Sequence, residues 1–541
     1  MAQRCEINSP APGRHEATRG RRNSELHSVW PMAVEISLTE AGRTLADPGA
    51  TARRGYVLVA TILASGMAFM DGSIITVGLP AIRANLGASF GEAQWTSNAY
   101  TLTLAAFTLL GGAAGDAYGL RRVFMFGIAL FGLASAACGF AWSPESLIVA
   151  RAVQGVGGAL MVPGSLALIS AHYPAEIRGR AIGTWAAASS IAPAIGPILG
   201  GALVDLGSWR ALFLMNVPIA VAAWLLCRAK VPADGTKTAV RMDWVGGALA
   251  VLGLGVLAYG LTEMGASDGF HVDLSMGLAL AGAALLIVFV IWEAIAPAPM
   301  MPLGLFANRM FSGVNVLTLL LYFALAGALF FLPTALIQAH HYPAALAGSV
   351  FLPFVIVMAL LSRFGGGLAD KFGVRPCLTF GPILTGVSFL LLSPAVANGN
   401  FWAALVPTML LMGLGMGITV APLSTAVMGA APEERRGTAS GINNAVARVA
   451  GLIAVASLGI AVMNGFDGVL AGAASDAAGL VRAAGFGGNL GAIDGADPAV
   501  LRDLWARATI AGFSAVTLVC GILAIAGGLV GWFYTDGGPK G

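Results

Sequence analysis

Long apolar blocks run through most of the chain, separated by short polar connections. A membrane-spanning helix needs about 20 largely apolar residues, and a window of about 19 residues detects such segments. Read this way, the chain predicts fourteen spans. Six run roughly over 56–78, 95–114, 123–142, 147–170, 181–204 and 211–227, and two more over 244–263 and 274–296. The last six fall at 311–337, 345–366, 377–396, 402–428, 438–463 and 508–533. Connections are short except for residues 464–507, rich in Gly, Ala and Asp. The fold class expected is an all-α polytopic membrane protein.

Composition agrees with the pattern. Of 541 residues, 57% are hydrophobic and 11% charged, against about 25% charged in soluble proteins. A net charge of +3 gives no argument for a nucleic-acid partner. Residues 1–50 are polar and arginine-rich, without the apolar core of a secretory signal. They read as a disordered cytoplasmic tail, and Met32 is an alternative start. Cys5, Cys138, Cys227, Cys377 and Cys520 are far apart, with no CxxC spacing. This suits small apolar fillers rather than a disulfide framework or a zinc site.

Basic residues set the orientation. With the N-terminus inside, 23 of 30 Lys and Arg fall in cytoplasmic segments, where the excess belongs. Arg83, Arg210, Arg482, Arg502 and Arg507 fall outside, while Arg151 and Arg448 lie within helices. An even number of spans with both termini cytoplasmic follows.

The chain also repeats itself. "GGAAGDAYGLRR" (111–122) matches "GGGLADKFGVRP" (365–376), pairing Asp116 with Asp370 at an offset of 254. "GVGGALMVP" (155–163) matches "GLGMGITVAP" (413–422), and "RGRA" (178–181) matches "RGTA" (436–439), both at an offset of 258. Three pairs at nearly one offset imply two six-helix halves, residues 55–228 and 310–535, with a helix pair inserted at 243–297. Parallel repeats around a midplane site are a transporter signature.

Four stretches carry a family resemblance. The 111–122 loop has Gly112, Asp116, Gly119, Arg121 and Arg122, echoed by Asp370, Lys371 and Arg375; Ala117 and Leu120 stand where basic residues are usual. "ARAVQGVGGALMVPGS" has Arg151, Gln154, Gly155, Gly157, Gly158 and Pro163. "APAIGPILGG" (192–201) has Pro193, Gly196, Pro197, Gly200 and Gly201, and "MDGSIITVGLP" (70–80) has Asp71 and Pro80. With "SWRALFLMNVP" (208–218), these resemble the fourteen-helix drug:proton antiporters of the major facilitator superfamily over residues 55 to 535. The resemblance implies two six-helix bundles plus two inserted helices, powered by the proton gradient without a cofactor.

Each motif has a physical reading. An acid at a helix C-terminus opposes the helix dipole, so Asp116 persists if an arginine or a facing helix N-terminus takes it up. A cytoplasmic gating latch is expected, with topology-setting charge as the plain alternative. Gly196 and Gly200 form a small-xxx-small packing face, and Pro193 and Pro197 bend the helix. "GVGGAL" is not a nucleotide loop, because the third glycine is missing and no strand precedes it. His340 and His341 read as surface residues rather than metal ligands.

Arginine at the centre of a membrane helix costs about 2.5–3.5 kcal/mol on insertion scales. Arg151 could snorkel outward, but Asp71 lies at a similar depth with the opposite charge. The resemblance suggests that both face a central cavity. Burial disfavours a carboxylate's charged form and a nearby cation favours it, so Asp71 and Arg151 are the proton-coupling candidates. Gln154, Asn443, Asn444 and Arg448 are the cavity and substrate candidates. Helix thirteen, "TASGINNAVARVAG" (438–451), contains no acid, which disfavours dicationic substrates.

The expected function is an inner-membrane exporter of hydrophobic or amphipathic compounds in exchange for protons. The alternative on the same fold is a proton-independent facilitator or a symporter of a metabolite. No nucleophile–base pair or ligand cluster at membrane depth suggests an enzyme. The expected partners are the lipid bilayer, the export substrate, protons and, at residues 464–507, a periplasmic adaptor.

Overall fold

The computed structural model describes residues 48–232, 243–266, 272–432, 435–473, 475–488 and 497–535. The expected tail, with Met32 and Cys5, lies outside these residues apart from 48–50. Two compact units are present, Met1–Gly55 and Tyr56–Gly541. Of the first, only helical residues 48–55 are described; the second carries the structure discussed below.

Among the described residues all regular structure is helical. Helix α1 is Pro48–Leu86, α2 Phe90–Tyr118, α3 Leu120–Gly139, α4 Pro144–His172 and α5 Ala175–Asp205. A turn at Ala211–Leu214 leads into α6, Asn216–Lys230, followed by α7, Trp244–Ala266, and α8, Val272–Ile295. Then come α9, Arg309–His340, a turn at Ala344–Ser349, α10, Phe351–Phe372, and α11, Val374–Asn398. Last are α12, Val406–Gly429, α13, Arg436–Leu470, a short helix Ser475–Ala484, and α14, Pro498–Tyr534. Among the described residues twelve segments are long and apolar enough to cross a membrane. The two predicted spans outside that count are α2 and α5, of which α5 offers only a shorter apolar stretch, Ile191–Asp205.

Helix starts follow local chemistry. Ser89 and Glu92 form a capping box at α2, with Glu92 N donating to Ser89 Oγ at 3.2 Å and Ser89 N to Glu92 Oε2 at 2.7 Å. Ser143 caps α4, whose first position is Pro144. Asp497 caps α14 through Ala499 N at 2.8 Å. That cap starts the helix ten residues before the predicted span at 508, and α13 runs on to Leu470. The segment 464–507 is therefore partly helical rather than a plain loop. A hydropathy window registers only the apolar part of a helix, so these polar turns escape it.

In the first half, α4 packs on α2 and α3, and α3 on α6. In the second, α14 packs on α9, α11 and α13, while α12 packs on α10 and α11. Helix α7 pairs with α8 and touches both α2 and α13.

The internal repeat is visible in the backbone. Gly119 and Gly373, 254 positions apart, both adopt positive φ, +106° and +85°, where they begin α3 and α11. A side chain is strained in that region. A Cβ on Gly157 would lie 3.0 Å from the Gly127 carbonyl oxygen, and one on Gly415 would lie 2.7 Å from that of Gly381. The same glycine pair thus brings α4 onto α3 and α12 onto α11, which is the close approach that small residues permit. "GVGGAL" is a packing motif.

Gly157→Ala should lower the thermal unfolding midpoint of the detergent-purified protein, with a cost of about 1–3 kcal/mol for overpacking. Gly183→Ala, where a Cβ meets nothing within 4 Å, should leave it unchanged or slightly raised. Equal responses would contradict the packing role.

Candidate functional site

Arg151 falls in the second turn of α4, facing into the first six helices, where Asp71 of α1 meets it. Both side chains are fully buried. Arg151 Nη1 donates to Asp71 Oδ2 and, at 2.7 Å, to Gln154 Oε1. Its Nε donates to the Thr96 carbonyl at 2.9 Å. The Tyr100 ring lies 4.3 Å from the guanidinium carbon, and the Phe213 ring 5.6 Å, a favourable cation–π arrangement. Counter-charge, acceptors and aromatic faces together offset the loss of water.

Asp71 is equally well supplied. Its Oδ1 accepts from Gln154 Nε2 at 2.9 Å and from Asn216 Nδ2 at 2.8 Å. The same two amides donate to Ser135 Oγ at 3.1 and 3.0 Å, and Ser135 donates to the Phe213 carbonyl at 2.9 Å. Four helices, α1, α3, α4 and α6, meet at one polar knot. Two of its buried atoms, Arg151 Nη2 and Asn216 Oδ1, have no partner.

Asp71 and Arg151 therefore do pair, but neither lines the central cavity as the resemblance suggested. At 100° per residue, a helix that turns Asp71 into the bundle turns its successors elsewhere, and Gly72, Ser73 and Thr76 form the cavity wall. Gln154 likewise belongs to the knot and not to the wall.

The central cavity has a volume of about 460 Å³ and draws its wall from both halves, within the range of small-molecule sites. Pro193 and Pro197 of α5 line it, as does Arg448 of α13. Asn443 instead donates to Asn315 Oδ1 at 3.1 Å and Thr318 Oγ1 at 2.8 Å. Exposed Asn444 donates to the Ser440 carbonyl of its own helix.

The packing motif of α5 works twice. A Cβ on Gly196 or Gly200 would strike Ser73 or Ile74 of α1, and one on Gly201 would lie 2.3 Å from the Ala344 carbonyl in the other half. At that end of the bundle the halves are also hydrogen-bonded. Asp205 accepts from Ala344 N at 3.0 Å and Ala345 N at 2.9 Å. Gln94 donates to the Val455 carbonyl at 2.6 Å. Arg83 donates to the Phe486 carbonyl, and the Phe486 ring packs against Phe90 and Phe331. Residues after α13 thus help close this end.

At the opposite end, Arg121 Nη2 donates to the Arg228 carbonyl at 2.7 Å, a cation on the last turn of α6, where the dipole favours it. Arg122 is exposed, Gly112 approaches Pro163, and Arg375 lies over Trp532 at 4.1 Å. The side chains of Asp116, Asp370 and Lys371 lie outside the described residues, and with them the expected latch. Cys138, Cys227, Cys377 and Cys520 are buried and form no disulfide among the described residues.

Sequence reasoning missed Asn216, Ser135 and Thr96. Asn216 did carry a signal, as an amide within the apolar stretch "LFLMNVP". Thr96 contributes a backbone carbonyl, which no side-chain pattern reveals.

Residues 61–455 match the family described as Major Facilitator Superfamily. The chain is 32% identical over 405 residues to "Methylenomycin A resistance protein" of Bacillus subtilis (strain 168), covering 75% of this chain and 86% of that protein. It is 34% identical over 406 residues to "Multidrug resistance protein Stp" of Mycobacterium tuberculosis (strain CDC 1551 / Oshkosh), covering 74% of each. Among solved structures, a bacterial homologue of the human lysosomal transporter Spinster superposes with a TM-score of 0.65 at 17% identity, covering 90% of this chain and 98% of that one.

Removing one partner of a buried ion pair costs about 3–5 kcal/mol. Thermal unfolding of Arg151→Gln, Asp71→Asn and the double variant should be strongly non-additive, with the double variant losing less than the two singles summed. Additivity within about 0.5 kcal/mol would mean that the two side chains do not act as a pair.

Proposed function

The chain belongs to the major facilitator superfamily and is a multi-pass membrane transporter, not an enzyme; we propose that it exports hydrophobic or amphipathic compounds in exchange for protons. In this reading fourteen helices cross the inner membrane, the twelve apolar spans together with α2 and α5, and both termini are cytoplasmic. Substrates are drugs, antibiotics or metabolites, consistent with the resistance proteins the chain resembles. The driving force is the proton gradient.

The observation that carries the coupling step is the position of the Asp71–Arg151 pair. It is sealed inside the first half, yet Asp71 adjoins Gly72 in the cavity wall. Protonating Asp71 removes the counter-charge of Arg151 and leaves a buried cation unpaired, which is strongly unfavourable. The protonated state therefore favours a rearrangement that re-solvates Arg151. That links proton occupancy to which side of the cavity is open. The links through Asp205, Gln94 and Arg83 close one end, the outer one in this topology. They consist of a few hydrogen bonds between halves, so a rocking motion can break and remake them. Together with the latch expected around Asp116, Arg121, Arg122, Asp370, Lys371 and Arg375, they would give alternating access.

A susceptibility panel in an efflux-deficient host should identify an exported compound. Purified protein in vesicles with an imposed ΔpH should then accumulate that compound against its gradient. Asp71→Asn should bind it within about threefold of wild type but lose roughly tenfold or more of the ΔpH-driven accumulation, since coupling energies commonly span 5–150-fold. Wild-type transport indifferent to ΔpH would favour the facilitator. Full ΔpH-driven export by Asp71→Asn would remove Asp71 from the coupling step.

A further inference from the structure

Two arginines inside predicted spans, Arg151 and Arg448, stand in opposite circumstances. Arg151 is neutralised by Asp71. Arg448 lines the central cavity, and among the described residues it has no carboxylate partner and no hydrogen bond. The face of Phe69 lies 5.6 Å from its guanidinium carbon. Among the described residues no acidic side chain lines the cavity. An uncompensated guanidinium at membrane depth is costly, so its placement in a ligand-sized space calls for a counter-charge from outside the protein.

The rest of the wall fits that demand. Most of it is apolar or aromatic, including Phe330, Phe351 and Phe354. Several hydroxyls are already committed: Ser73 donates to the Met70 carbonyl at 2.9 Å, Thr76 to that of Ser73 at 2.8 Å, and Thr101 to that of Ser97 at 3.1 Å. The hydroxyls of Ser97 and Tyr322 also line the cavity and have no partner among the described residues. Among the described residues the free donors are thus one guanidinium and two hydroxyls, set against an apolar surface.

We propose that this cavity selects amphipathic substrates carrying a single anionic group, such as a carboxylate or sulfonate, with Arg448 as the specificity-determining contact. This rests on the exporter reading above and narrows its substrate class. The anion supplies the charge that Arg448 lacks, and the apolar body of the substrate lies along the aromatic wall. Arg448 sits on α13 of the second half while Ser97 sits on α2 of the first, so a bound anion would bridge the halves.

The test uses two probes with one aromatic framework. Anilinonaphthalene sulfonate is anionic, and N-phenyl-naphthylamine is its neutral counterpart. Saturable binding of each to the purified full chain is followed by competition with the exported compound. Wild type should prefer the sulfonate by roughly tenfold or more, the size of a hydrogen bond to a charged group. Arg448→Gln should lose that preference while binding the neutral probe as wild type does, and Arg448→Lys should retain most of it. A wild type that binds both probes equally, or prefers the neutral one, overturns the proposal whether or not the variants fold. Retention of the preference in Arg448→Gln also overturns it. ΔpH-driven export measured on the same preparations separates the readings: export without sulfonate preference removes the anionic substrate and leaves the exporter.

Discussion

Hydrocarbon does not solvate charge, and this constraint organises the molecule. Every ion at membrane depth must find its counter-charge and donors within the protein or borrow them from a ligand. The chain meets the requirement in two ways. Around Arg151 it gathers groups from α1, α2 and α4: a carboxylate, a glutamine carbonyl, a backbone carbonyl and an aromatic face. Around Arg448 it builds almost nothing, and leaves the guanidinium on the wall of a cavity. In the proposed mechanism the first arrangement is a closed unit that protonation unbalances, and the second is an open valence for a substrate.

The same constraint explains the glycines. Between membrane helices there is no hydrophobic driving force, so association depends on close contact and small residues. Gly157 against Gly127 and Gly415 against Gly381 bring corresponding helix pairs together in each half. Gly201 and Gly348 do the same between halves, where a Cβ on either would meet opposing backbone. Such backbone contact is compatible with the rocking motion proposed above. At that end, Asp205 adds a carboxylate across the gap to two backbone amides.

Much of this was legible in the sequence, and the limits have physical causes. Apolar periods of about 20 residues marked the helices, and the spaced repeats marked the two halves; Gly119 and Gly373 then proved to share an uncommon backbone conformation. The pairing of Asp71 with Arg151 followed from charge and depth. Their orientation did not, because a shift of one residue rotates a side chain by 100° and hydropathy does not resolve that angle. Thus Gly72 and Ser73 face the cavity while Asp71 faces the bundle. The start of α14 at Pro498 was hidden because its first turns are polar, and the cap at Asp497 is a local signal that a window averages away. Asn443 resembled a cavity residue by type, yet Asn315 and Thr318 take up its amide.

Coupling in the proposed exporter requires Asp71 to gain and lose a proton as the pair with Arg151 opens and closes. A hydrophobic carbodiimide reacts with protonated carboxyls in apolar surroundings, and peptide mass spectrometry locates the adduct. Asp71 should be modified in the purified protein, more at acidic than at alkaline pH, and the extent should change when an exported compound is added. An Asp71 peptide left unmodified at every pH, with and without that compound, while ΔpH-driven export proceeds, would show that the proton travels elsewhere and that the pair is only a structural tie.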